Sequence, residues 1–241
     1  MDNNENIVRE LERIIKENQV QIINDSTGTY ATKNLIRLMP DKKKYRTYNF
    51  TDLFSLEAII KQELHLFSDT LYVFVEDEKR VVVFTTPDAD KERETPYSAE
   101  CPGTRFSFGR FYDYENFVIA LRSMFVPTDE LTKLLELLKK VSSVNSVDLE
   151  DDGITQKVTA QQGSRLAKDV SITPIRKLKP FRTFLEVEQP ESEFLFRVKD
   201  NTFALFEADG GAWKITAKAS IQRYLFESLE SEMSVGKIVL L

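Results

Sequence analysis

FRTFLEVEQPESEFLFRVKDNTFALFEADGGAWKITAKASIQRY, residues 181–224, decides how the chain reads. Phe194, Phe196 and Val198 alternate with Leu195 and Arg197, the period of two that marks a strand. Asp200-Asn201 is a two-residue turn signal. Residues 202–208 alternate again, with Phe203, Leu205 and Glu207 on one face. Asp209-Gly210-Gly211 turns the chain, and Trp213, Ile215 and Ala217 return it. With a strand over 183–187 and a turn over 189–192, the stretch predicts a three- or four-strand meander. It carries the only tryptophan of the chain.

Upstream, the pattern switches between strand and helix periods. Residues 170–175 form a short strand. Residues 144–150 and 154–161 flank Asp151-Asp152-Gly153, whose Asp-Gly pair signals a hairpin. Leu131, Leu134, Leu135, Leu138 and Val141 recur at helical spacing, with Thr128 as N-cap and Lys139 and Lys140 in the last turn, as the helix dipole prefers. Asp113 caps a preceding helix carrying Phe117, Ala120, Leu121 and Met124. Two helices so closely joined predict an αα-hairpin on a sheet. Arg105–Arg110 alternates as a short strand.

The first hundred residues repeat the mixture. Ile7, Val8, Leu11, Ile14 and Ile15 share one face of an amphipathic helix, which packs on its own domain or serves as a subunit-contact arm. Strands over 20–23 and 29–31 flank a hairpin loop, and 35–39 extends that small sheet. Thr51 caps a helix with the stripe Leu53, Leu56, Ile59, Ile60 and Leu64. The runs LYVFV (71–75) and RVVVFT (80–85) predict an antiparallel hairpin. Residues 86–104 carry three prolines, mixed charge and no periodicity. They read as a long loop, a lid or an arm to a neighbour. Downstream, a helix over 219–231 precedes VGKIVLL (235–241), an apolar strand that closes the protein's own sheet or adds to a neighbour's.

The predicted fold class is therefore α+β, with antiparallel or mixed sheets, hairpins, a C-terminal meander and helices packed on one side. The division expected is an N-terminal α+β region over 1–104, ending in the long loop, and a C-terminal core over 105–241, or one continuous domain.

Composition bounds the function. The chain has 241 residues, 41% hydrophobic and 30% charged, an ordinary globular mix. Its net charge of −6 argues against a dedicated nucleic-acid binder. One cysteine, Cys101, allows no intrachain disulfide and fits a reducing cytoplasm. No apolar run reaches the roughly 20 residues that cross a bilayer. The expectation is a soluble cytoplasmic protein, without membrane or nucleic acid as partner.

Two basic clusters are the candidate binding groups. Lys42, Lys43, Lys44 and Arg46 precede Tyr48 and Phe50. Arg176, Lys177, Lys179 and Arg182 surround Pro180. Such clusters donate to phosphates, but a solvated loop is the favoured reading of the first, which is short in an acidic chain, and the second lacks a Gly-rich cradle. Asp209 and Trp213 join the candidates from the meander. Glu186, Glu188, Glu207 and Asp209 suit acid/base or metal chemistry if they converge. The blander reading makes them edge and turn groups, with Asp209 bonding the turn backbone. His65 has no nucleophile at a recognisable spacing, and Cys101 has no base beside it. Asp148, Glu150, Asp151 and Asp152 lack the spacing of a calcium loop. No cofactor motif, metal site or catalytic residue is assigned.

FEADGGAWK (206–214), FRTFLEVEQPESEF (181–194), DDGITQKVT (151–159) and FYDYENFVIALRSMFVPT (111–128) resemble the YfdQ-like family of phage and prophage proteins, a domain of unknown function. The resemblance covers residues 105–225 or so, about half the chain. It implies phage or prophage origin and brings no catalytic residues with it.

Three functions follow as expectations. The first is a non-catalytic phage accessory protein that forms a homo-oligomer, suggested by the N-terminal helix, the long loop and the apolar final strand. The second is a sequestering protein for a nucleotide-like or other anionic small molecule. The third is a metal-dependent enzyme acting on nucleic acid.

Overall fold

The computed structural model describes the whole chain except residues 1, 19, 26–27, 32–35, 38–44, 89–90, 104–105, 143–146, 152–155, 163–164, 167–169 and 173–174. It is an α+β fold with mixed and antiparallel sheets. The chain divides into two units, Met1–Lys44 and Tyr45–Leu241.

The first unit opens with helix α1 (Asp2–Asn18) and continues as strands β1 (Ile22–Asp25), β2 (Gly28–Ala31) and β3 (Ile36–Arg37). They form an antiparallel sheet in that order, with Ile22 opposite Ala31 and Asp25 opposite Gly28. The expected apolar face of α1 is present, and it is solvent-exposed: Ile7, Val8, Leu11, Ile14 and Ile15 retain 42–57% of their surface. On the flank, Arg13 bridges Glu10 at 2.5 Å and Glu17 at 2.9 Å.

The second unit runs β4 (Tyr48–Phe50), α2 (Leu53–Glu63), β5 (Leu71–Val75), β6 (Arg80–Phe84), β7 (Tyr97–Glu100), α3 (Tyr114–Met124) and α4 (Asp129–Ser142). It continues through β8 (Val147–Asp151), β9 (Gln156–Gln162), β10 (Arg165–Leu166), β11 (Val170–Ile172), β12 (Ile175–Leu178), β13 (Ser192–Lys199) and β14 (Thr202–Glu207). It ends with α5 (Trp213–Ser228), α6 (Glu230–Ser234) and β15 (Ile238–Leu240).

A five-stranded sheet has the order β15-β5-β6-β7-β4, with parallel pairs at both edges and antiparallel pairs between. Its strands alternate. Leu71, Val73, Val75, Val81, Val83, Tyr97 and Ala99 point inward against Leu53, Leu56 and Ile60 of α2 and Ile221 and Leu225 of α5. The sheet draws strands from residue 48 to residue 240, so it joins the two halves that a division after 104 separates.

The β12-β13-β14 meander forms an antiparallel sheet beneath α3 and α4. Its core is aromatic. Phe196 and Phe203 stack across the strand pair with ring centroids 6.2 Å apart, and Phe117 of α3 lies 5.8 Å from Phe203. The helices start where the sequence predicts. Asp113 accepts from Asn116 N–H at 2.9 Å, and Thr128 from Leu131 N–H at 3.2 Å. The expected hairpin around Asp151 is present as β8 paired with β9, and β10 and β11 flank β9.

Several elements differ from the sequence reading. Residues 213–217 are the start of α5, not a returning strand. A strand would put Trp213, Ile215 and Ala217 on one face, whereas Trp213 and Ala217 are buried and Ile215 is 75% exposed. Gly210 and Gly211, both at positive φ, turn the chain into that helix. Residues 106–110 are a turn, because Gly109 sits at φ +77° and its N–H bonds Leu205 C=O. Residues 183–187 are also a turn rather than a strand. The loop expected over 86–104 contains β7, an interior strand between β6 and β4. Its sequence, YSAE, is too short and too small-sided to show a strand pattern. The final strand β15 pairs with β5 of its own sheet. The α2 cap is Asp52, one residue after the one expected, accepting from Ser55 N–H at 2.7 Å.

No helix among the described residues is long and apolar enough to cross a membrane.

Candidate functional site

The buried cation of the meander is Arg182. It lies on the segment after β12 and is only 3% exposed. Its guanidinium donates to Glu207 Oε1 at 2.6 Å and to Ser192 Oγ. Its planar face lies 4.0 Å from the Trp213 ring centroid, with Phe194 at 5.3 Å and Phe108 at 5.8 Å. Cations over aromatic faces are attracted to the ring quadrupole, most strongly when water is excluded. Nε finds no hydrogen-bond partner among the described residues. Burial pushes the Arg182 pKa down, and the charges of Glu207 and then Asp209 oppose that push.

Asp209 completes the cluster. Its carboxylate accepts from Gly211 N–H at 3.0 Å, the turn role that its position predicts. Burial works to raise its pKa, yet hydrogen bonds from Ser192 and Gly211 and the charge of Arg182 hold it below the usual carboxylate range.

The loop behind Arg182 is organised by Gln189, which is also buried. Its Oε1 accepts from the N–H groups of Arg182 at 3.0 Å and Thr183 at 3.3 Å. Its Nε2 donates to the carbonyls of Phe184 at 2.8 Å and Val187 at 3.3 Å. One amide thus replaces the ladder that residues 183–187 would have made as a strand. The sequence reading placed Gln189 in a turn and assigned it no role. A side chain that serves as a backbone surrogate leaves no periodic signal.

The candidate residues do not gather into one cationic site. Arg176 faces Glu130 at 3.9 Å, Lys177 faces Glu193 at 3.8 Å, and Lys179 bonds Glu188 at 2.8 Å. With Arg182 on Glu207, each cation of the second cluster stands opposite a carboxylate. Arg46 is exposed in the segment before β4. Lys42, Lys43 and Lys44 lie outside the described residues. Lys177, Asp209 and Trp213 do meet, around a hollow of about 190 Å³. That is below the roughly 300–1,000 Å³ of ordinary ligand pockets.

The carboxylates separate in the same way. Glu207 and Asp209 serve Arg182, Glu188 serves Lys179, and Glu186 accepts from the first N–H groups of α2, Leu53 at 2.6 Å and Phe54 at 3.2 Å. Among the described residues no group of three or more His, Cys, Asp or Glu side chains is placed to hold a metal ion. His65 is exposed beside Gln62 C=O at 3.0 Å. Asp148, Glu150 and Asp151 fall on β8.

A larger concavity than that hollow is a groove of about 1000 Å³. Four separate segments wall it: Thr51 and Asp52 before α2, Cys101 to Gly103 after β7, Ser123 and Met124 closing α3, and residues 181–186. Backbone bonds from Phe181 N–H to Met124 C=O at 2.9 Å and from Val126 N–H to Lys179 C=O at 2.8 Å fix two of these walls together. Half-buried Cys101 sits in it, and burial pushes its thiol pKa up, so the group is a neutral thiol and not an activated nucleophile. Sequence reasoning missed the groove because its walls come from four stretches, none with a motif.

No family model matches this chain, and neither a curated protein nor a solved structure matches it.

Proposed function

We propose that this chain is a non-catalytic, homo-oligomeric accessory protein of phage or prophage origin, and that α1 is its self-association element. The observation that carries the reading is the exposed apolar stripe of α1. Five large aliphatic side chains on one face of a 17-residue helix form a patch that soluble chains normally cover. The stripe is symmetric about Leu11: Val8 and Ile14 lie three residues to either side, Ile7 and Ile15 four. A two-fold axis through Leu11 therefore lays the stripe of one copy antiparallel on that of another, the self-complementary contact a closed dimer needs. Arg13 bridges both Glu10 and Glu17 beside the stripe, which offsets part of their charge and lowers the repulsion between copies. The phage origin rests on the resemblance of residues 105–225. The final strand and residues 97–100 of the 86–104 segment lend no support, since both pair within the chain's own sheet.

The nucleotide-sequestering alternative has weaker support, because the cations of 176–182 already face carboxylates. The deciding measurement is the solution mass of the full chain by light scattering across a concentration series. A mass at a multiple of 27.9 kDa is expected. A 27.9 kDa particle at every concentration overturns the reading.

A further inference from the structure

The groove between α3 and the 181–186 turn points to a second activity. We propose that it is a binding site for an uncharged, hydrocarbon-rich small molecule. Its volume of about 1000 Å³ lies at the top of the range of small-molecule pockets. Its surface is mainly apolar, from Pro102, Met124, Phe181, Phe184 and Leu185, and Leu185 is 74% exposed at the rim.

The polar groups in the wall select the ligand class. Thr183 Oγ1 donates to Glu78 C=O at 2.6 Å, and Ser123 Oγ to Ile119 C=O at 2.8 Å. Asp52 and Glu186 are committed to the N–H groups that open α2. Cys101 Sγ accepts from Gly103 N–H at 3.4 Å. The hydroxyls of Thr183 and Ser123 are thus already satisfied within the protein. A peptide entering here would leave its main-chain groups without partners, which costs about 1–3 kcal/mol for each buried group. A hydrocarbon has no such groups. Anions are disfavoured too, because two carboxylates crown one end of the groove. A nucleotide, a fatty-acid carboxylate or a sulfonate would bring its charge against Asp52 and Glu186.

Cys101 makes the site testable in place. The full chain is titrated with N-phenyl-1-naphthylamine, a neutral fluorescent probe, and with 8-anilinonaphthalene-1-sulfonate, its anionic relative. Cys101 alkylation by N-ethylmaleimide is followed by mass spectrometry with and without the neutral probe. The expected result is saturable binding of the neutral probe, weaker binding of the sulfonate, and slower alkylation of Cys101 when the probe is bound. Ser123→Trp fills the groove from α3, and Leu185→Glu charges its rim at an exposed position. Each is expected to weaken the neutral probe by roughly tenfold or more, the loss of one apolar contact region. Should Ser123→Trp fail to fold, Leu185→Glu carries the test alone. The proposal is overturned by non-saturable binding, by equal or tighter binding of the sulfonate, by unchanged Cys101 alkylation, or by a folded variant that binds as the parent does.

Discussion

Leu11→Glu is the sharpest perturbation of the α1 interface, because the proposed two-fold axis passes through that residue. The five stripe residues each keep about half of their surface exposed. Full burial of such a side chain is worth about 1.5–3 kcal/mol, so about 1 kcal/mol per side chain is still available. Two helices contribute ten such side chains, or about 10 kcal/mol in all. Loss of translational and rotational freedom costs about 4–15 kcal/mol. The helix pair alone therefore supports at most about 6 kcal/mol, a dissociation constant no tighter than roughly 10⁻⁵–10⁻⁴ M. The substitution removes two leucines, about 2 kcal/mol, and brings two carboxylates together. At about 5 Å and an effective dielectric near 20 their repulsion is about 3 kcal/mol before salt screening. Even with most of that screened, association weakens at least roughly a hundredfold. Glutamate is a good helix former, so circular dichroism is expected to show α1 intact. Sedimentation equilibrium at neutral pH reads the outcome: the parent mass rises with loading, while the variant stays at 27.9 kDa. A variant that associates as strongly as the parent refutes the α1 interface.

Other consequences concern the meander. Gln189→Ala removes four hydrogen bonds and leaves two buried N–H groups to be re-solvated; a loss of about 2–4 kcal/mol is expected in urea unfolding. Arg182→Lys keeps the charge but loses the fork that reaches both Glu207 and Ser192 and much of the stacking on Trp213. It is expected to lower stability by about 2 kcal/mol, with a red shift in Trp213 emission, and an unshifted spectrum with unchanged stability would count against the arrangement. The pH dependence follows Tyr224, whose hydroxyl bonds Glu57 at 3.1 Å. Burial first, and Glu57 second, push its pKa up to about 12. A pKa raised on folding gives stability that is complete below the unfolded value near 10 and lost as pH climbs toward 12. Stability is expected to fall across that window, and Tyr224→Phe to flatten part of the fall, as read by thermal unfolding at stepped alkaline pH.

Those parts of the fold that rest on a local period were legible in the sequence. The β5–β6 hairpin, the β13–β14 pair, α3 and α4 all announce themselves by alternation or by a heptad-like stripe with a cap. What escaped reading had no local cause. β7 is a strand because β6 and β4 leave a gap for it, and YSAE alone has little to say about that. Trp213-Lys-Ile-Thr-Ala fits a strand until Ala217, Ile221 and Leu225 are counted with Trp213 at intervals of four. Of the candidate residues, Arg182, Asp209 and Trp213 do come together, since all sit on the meander and the turn that ends it. The carboxylates that neutralise Arg176, Lys177 and Lys179 come from α4, β13 and the loop before it, and a one-dimensional reading sees only the cations.

The closure of the five-stranded sheet by β15 bears on how the chain reaches this structure. Thr70 Oγ1 donates to Gly236 C=O across 166 residues at the mouth of the β5–β15 pair. Between these strands the sequence inserts α3, α4 and the whole β12-β13-β14 meander, whose strands follow one another directly. Contacts between near neighbours form quickly, and contacts across long loops form slowly. The β13–β14 hairpin is therefore expected to form early, and the larger sheet to stay open at β5 until Ile238 docks against Leu71. Throughout that interval β5 is an unprotected edge, the kind of template on which incompletely folded chains aggregate.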